Sequence, residues 1–166
     1  PSMQMMHVTK ENIFVTNGNI LVHIPTNYIL DEASIKNENW FDFYIEASQY
    51  KLLLNSTTKI DIDFETKIAT TITNKGIFKA FILSANTLPF PDCKKVINLD
   101  NQSLTQKSIL DIDLNNLALA NKALNISKSE GVKIHIKERN HYYIFSRDFT
   151  ELSYKIPFAL VMGMKQ

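Results

Sequence analysis

Cysteine is nearly missing from this sequence. Cys93 is the sole thiol, so no internal disulfide can staple the chain. A lone thiol fits a reducing compartment, and the cytoplasm is the expected location. Glycine and proline are sparse, with four and five copies, which argues against long flexible linkers. Arginine occurs only at Arg139 and Arg147. Base reading by bidentate guanidinium groups is therefore not expected, and any contact with nucleic acid would be lysine-based and directed at the backbone. An excess of one charge is also lacking: 18 basic side chains face 17 acidic ones, a net +1. A dedicated nucleic-acid binder usually concentrates a basic excess. No run approaches the roughly 20 apolar residues that span a bilayer. The opening Pro1-Ser2-Met3-Gln4-Met5-Met6 lacks the basic start and apolar run of a secretory signal, and no structural weight is given to it.

What is present is ordinary for a globular domain: 45% hydrophobic and 21% charged residues in 166, enough for one core and short for two. The chain opens in short strands. His7 to Lys10 leads into Ile13-Phe14-Val15-Thr16, then Asn17-Gly18, then Ile20 to Ile24. Asn-Gly between two apolar runs signals a hairpin, because both residues tolerate positive φ. Pro25 ends the run, and the polar stretch Asn27 to Asn39 reads as a loop.

Trp40 to Ile45 is aromatic and β-branched and reads as a strand, followed by a short helix over Glu46 to Asn55. Lys59-Ile60-Asp61-Ile62-Asp63-Phe64 and Lys67 to Thr73 alternate, and Gly76 to Leu83 reads as extended. Alternation marks strands with one buried face. The order then recurs. Ser108 to Ile112 is a strand, Asp113 an N-cap and Leu114 to Asn125 a helix with Leu114, Leu117, Ala120 and Leu124 at helical spacing and expected to face the sheet. Strands follow at Val132 to Ile136, Tyr142 to Ser146 and Ile156 to Met162.

The pattern predicts an α+β fold in a single domain over residues 1–166. It holds a leading hairpin at about 6–26 and two β-α-β-β-β units at about 40–97 and 107–166. Two helices cannot cover both faces of so many strands, so both are expected on one face of curved antiparallel sheets. The other face is left to solvent or a partner.

At Leu88-Pro89-Phe90-Pro91-Asp92-Cys93-Lys94-Lys95-Val96-Ile97 the chain resembles the "FPDY..V.P" linker of the bacterial β sliding clamps, the processivity subunits of DNA polymerase III. Three further segments agree in the same chain order. Thr16-Asn17-Gly18-Asn19-Ile20-Leu21 is similar to the family's "TDGHRL" turn, and Phe78 to Leu83 to the strand ahead of its linker. Leu160-Val161-Met162-Gly163-Met164-Lys165 is similar to the closing "VVMPMRL". The departures are Asn19 and Ile20 where the family has histidine and arginine, and Gly163 for its proline. The family carries three double units; one is read here.

The resemblance implies a clamp-like fold whose turn, linker and tail converge on a pocket for the short hydrophobic motifs of polymerases, loaders and repair proteins. Carried over position by position, the pocket residues would be Thr16, Gly18, Leu21, Pro91, Val96, Leu160 and Met162. Clamp helices also line the hole through which duplex DNA passes. That implies Lys51, Lys59, Asn115, Lys122 and Lys128 as DNA-facing positions, and a ring built from several copies of a chain this short. The alternative reading of these lysines is a solvated helix face.

Chemistry-bearing patterns are poor. Asp61 and Asp63, like Asp111 and Asp113, have a spacing that could hold a divalent cation, yet Ile-Asp alternation is also what a half-exposed strand shows. His7, His23, His135 and His141 have no carboxylate or cysteine partners at ligand spacing. Cys93 beside Lys94 and Lys95 could ionise more easily than a free thiol, but no histidine signature accompanies it. No phosphate loop, nucleophile elbow or zinc-protease motif occurs. The expectation is a non-catalytic scaffold without metal or cofactor. Two alternatives stand beside it: a clamp-fold regulatory module that forms no ring, and a small metal-dependent enzyme using the paired aspartates.

Overall fold

The computed structural model describes residues 5–46, 48–49, 59–73, 75–85, 90–97, 113–124, 131–137, 141–146 and 148–162. The chain is α+β, with antiparallel sheets and a few short helices. It separates into two compact units: residues 1–15 with 25–91, and residues 16–24 with 92–166.

In the first unit, β1 (Met5–Val8) lies between β2 (Asn12–Thr16) and β4 (Phe43–Glu46), antiparallel to both. A short β8 (Leu83–Ser84) pairs with β4. Met5 and Met6 are buried in β1, so the end of the opening segment given no weight from sequence belongs to a structural strand. The β1–β2 turn closes through Thr9, whose N–H and Oγ1 both reach Asn12 O at 2.9 Å.

The expected loop over Asn27 to Asn39 is not irregular. A 3-10 turn at Thr26–Tyr28 leads into α1 (Glu32–Lys36). Asp31 caps α1 by accepting from Ser34 N at 2.6 Å, and Glu32 pairs with Lys36 one turn on. Polarity concealed a helix whose start signal is a cap rather than an apolar stripe.

A three-stranded sheet runs in the order β5 (Asp61–Asp63), β6 (Ile68–Thr73), β7 (Gly76–Phe81). α1 closes the β5 side: Ser34 Oγ accepts from Ile62 N at 2.7 Å and donates to Asp61 Oδ1 at 3.2 Å. A parallel bridge from Leu30 to Ile60 extends that contact. Phe64, just past β5, packs edge-on or tilted against Trp40, Phe41 and Phe43 at centroid distances of 5.2, 5.4 and 6.1 Å.

In the second unit the strand order is β3 (Ile20–Pro25), β11 (Phe158–Met162), β10 (His141–Ser146), β9 (Val132–Lys137), each antiparallel to the next. Among the described residues this unit holds two helices: α2 (Cys93–Ile97), in the stretch that resembles a clamp linker, and α3 (Leu114–Ala123), which packs against β11. Asp113 caps α3 by accepting from Asn115 N at 2.8 Å. Of the helix expected over Glu46 to Asn55, Glu46 instead ends β4 and Ser48 and Gln49 are helical; its other residues and the strand over Ser108 to Ile112 lie outside the described residues.

Candidate functional site

Six of the seven pocket positions fall in the second unit, and Pro91 ends the first. The bend at Thr16–Ile20 is tightly built. Thr16 Oγ1 donates to Ile20 O at 2.8 Å and accepts from Gly18 N at 3.1 Å. Only Gly18 takes positive φ, at 92°. Asn17 does not use the left-handed region; its Oδ1 accepts from Asn19 N and Ile20 N at 3.0 and 2.9 Å, so the side chain closes the turn instead.

From this bend β3 pairs with β11, with Leu21 directly opposite Leu160, and Met162 N donates to Asn19 O at 3.0 Å. Leu160 is in turn opposite Tyr143, which is opposite His135. Directly opposed residues share a sheet face, so Leu21, Leu160, Tyr143 and His135 form one row. The Tyr143 hydroxyl donates to Ile97 O and so holds the end of α2 on this face. The sheet surface and α2 thereby bring the bend, the stretch after Phe90-Pro91-Asp92, and the tail into one unit.

Depth divides these residues. Leu21 and Leu160 are core, at 2% and 0% exposure. Thr16 is buried, Val96 and Met162 are half-buried, and Gly18 is exposed.

The start of α2 is set by Asp92, which accepts from Lys95 N at 3.3 Å and pairs with Lys95 Nζ at 3.0 Å. The side-chain hydrogen bond to Lys95 holds the exposed Asp92 carboxyl below its usual range. Cys93 is buried, and its thiol is pushed up to about 12 by desolvation first and by Asp92 second. Its neighbouring lysines do not activate it, because burial removes the thiolate's solvation. In the first unit, Phe90 packs on His7 at 4.9 Å and Tyr44 at 5.8 Å. Burial lowers the His7 pKa, while Asp42 pulls it upward.

Of the proposed DNA-facing positions, Lys51 and Lys128 lie outside the described residues. Lys59, in the first unit, donates to Asn27 O at 2.8 Å. Asn115 and Lys122, on α3, are exposed. So are Ala118, Leu119 and Leu114, the last of which was expected to face the sheet but opens the helix's first turn in solvent. The outward side of α3 is thus largely apolar, with one cation. Asp61 is engaged with Ser34, and Asp63 accepts from Glu65 N and Thr66 N at 3.0 and 3.1 Å as a turn cap. The bond to Thr66 lowers the Asp63 pKa. Asp111 lies outside the described residues, and Asp113 caps α3. Among the described residues, no three His, Cys, Asp or Glu side chains gather to hold a metal.

Sequence reasoning missed a groove of about 500 Å³ at the β9 edge, lined by Lys133, Ile134, His135, Phe145 and residues 150–152. Lys133 Nζ donates to Phe149 O at 2.7 Å, tying the groove wall to its edge strand. Lysine and histidine alternating on an edge strand were the available signal. The buried His23 was also read as unremarkable. It stacks on Phe158 at 4.5 Å and meets Tyr154 edge-on at 5.3 Å, and burial lowers its pKa to about 4 against a backbone bond at Ile156.

Compared with protein-family models, curated proteins and solved structures, the chain matches none. Among the described residues no helix is long and apolar enough to cross a membrane.

Proposed function

We propose that the chain is a non-catalytic, sliding-clamp-like scaffold that holds short hydrophobic motifs of replication or repair proteins. The observation that supports this is the pairing of Leu21 with Leu160 in one sheet with half-buried Met162, and the Tyr143 bond that tethers α2, which carries half-buried Val96, to that sheet. A peptide anchor of leucine or phenylalanine type suits such a rim, and methionine adapts to varied partners. Function follows by tethering: the scaffold raises a partner's effective concentration where it is needed and lowers no chemical barrier. Encirclement of duplex DNA by an oligomer belongs to the same reading.

The apolar outward side of α3 favours a second version, in which the chain acts as an interaction module and forms no ring. A phosphate-facing helix carries several cations, each contributing roughly 0.9 to the slope of log affinity against log salt. Lys122 alone, with the neutral Asn115, supplies little of that. The aspartate-based metal enzyme gains no support from carboxylates already committed to Ser34, to a turn and to a helix cap.

Fluorescence anisotropy with a labelled clamp-binding-motif peptide tests the scaffold. Saturable binding is expected, weakened at least about tenfold by Met162→Asp, equivalent to about 1.4 kcal/mol. No saturation, or equal binding to the variant, overturns the pocket.

A further inference from the structure

The three-stranded sheet of the first unit buries one face and leaves large apolar side chains exposed on the other. One face carries Ile62, Ala69, Thr71 and Ala80, all buried. The other carries Ile72, Ile77 and Phe81, at 59%, 66% and 67% exposure. The register sorts this open face into rows. Ile72 is opposite Ile77, Asp63, Ile68 and Phe81 make one row, and between these Asp61, Thr70 and Lys79 run straight across β5, β6 and β7. An acidic group therefore stands at one end of the middle row and a basic group at the other, with isoleucines on either side of Thr70 along β6.

We propose that this face is the contact between two copies of the chain, related by a twofold axis running along β6. An axis in that direction exchanges β5 with β7. It sets Lys79 of each copy over Asp61 of the other and Asp63 over Phe81, and stacks Ile68 and Ile72 on their own counterparts. An in-plane axis across the strands would instead set Asp61 on Asp61 and Lys79 on Lys79, which like-charge repulsion disfavours. The chosen axis keeps the strands of the two sheets aligned, the usual arrangement for stacked sheets about 10 Å apart. It also makes a closed, isologous pair rather than an open chain of copies.

The edges of the same sheet are less suited to pairing. Ile62 N on β5 is taken by Ser34 Oγ, and Phe81 N on β7 donates to Gln49 Oε1 at 3.1 Å. The contact shares no residue with the proposed motif-binding positions, six of which lie in the other unit.

The test is the solution mass of the full chain by light scattering, for the wild type, Asp61→Lys, Lys79→Asp and an equimolar mixture of the two variants. The wild type is expected at twice the chain mass and each variant at the chain mass. The mixture should return to twice, because both cross-copy pairs are again opposite in sign. A monomeric wild type overturns the proposal. So do variants that stay dimeric alone, or well-folded variants whose mixture stays monomeric; these outcomes point to an edge-strand contact, another surface or a different partner.

Asp61→Lys also disturbs Ser34, so Thr70→Cys supplies a second route. Its thiols would face each other across the axis and be joined by a bis-maleimide spanning about 10 Å, while buried Cys93 stays unreactive. Efficient linkage at low concentration supports the face, and linkage no faster than random collision removes it.

Discussion

The sheet around β11 and the sheet of β5, β6 and β7 are built from similar residues and end in opposite conditions. On β11, Phe158, Ala159, Leu160 and Val161 are all at 0% exposure, so both faces are covered. On β7, only Ala80 is buried, while Ile77 and Phe81 stand in solvent. Both strands are short apolar runs. The difference lies in what the chain brings over them: α2 is bound to Tyr143 of the neighbouring β10, and α3 packs against β11 itself. Strand composition says that a face wants cover; only the rest of the fold says whether it receives it.

The comparison breaks most readily at Leu160. Leu160→Ala removes a fully buried side chain with neighbours on both flanks, and should cost about 2–5 kcal/mol, read as a fall in the urea midpoint. A loss below about 1 kcal/mol would mean that this region collapses around the gap and is less fixed than its burial indicates.

The strands of both regions were legible because period-2 alternation records a buried face directly. Ile62, Ala69 and Thr71 follow it, as do Leu21 and Leu160 at their ends of the β3–β11 pair. The helices were less so. α1 and α2 have five residues each, too short for an apolar stripe, and declare themselves only through the caps Asp31 and Asp92. At the candidate site, chain order and partnering could be read, but depth could not. Whether Leu160 is rim or floor depends on the Tyr143–Ile97 tether, which joins residues 46 apart. The groove at Lys133 was hidden for the same reason, since its wall comes from residues 150–152.

His23 sharpens the contrast from the side of pH. It lies opposite Phe158 in the covered sheet and is itself fully buried. Its folded pKa of about 4 sits below the ordinary 6.5 because burial penalises the imidazolium. Between those values the unfolded chain binds more protons than the folded one, so stability rises with pH across that window. The contribution is fully present above about 6.5 and gone below about 4, a span of about 3 kcal/mol. Urea midpoints at pH 7 and pH 4.5 should differ by most of this for the wild type. His23→Leu should remove the greater part of the slope, leaving the smaller share of half-buried His7, whose lowered pKa acts in the same direction. An unchanged slope in the variant would place the acid sensitivity elsewhere.

The smallest effect belongs to the open face. Ile77→Thr keeps a β-branched side chain and gives up only exposed methylene surface, so in dilute protein its stability should lie within about 0.5 kcal/mol of wild type. A stacked second copy changes that expectation with concentration, because association stabilises only the folded form. The wild-type melting temperature should then climb as protein is added, while that of Ile77→Thr stays flatter. Parallel curves for the two would mean that this face stays bare in solution, and a loss of several kcal/mol in dilute protein would mean that the same chain already covers it.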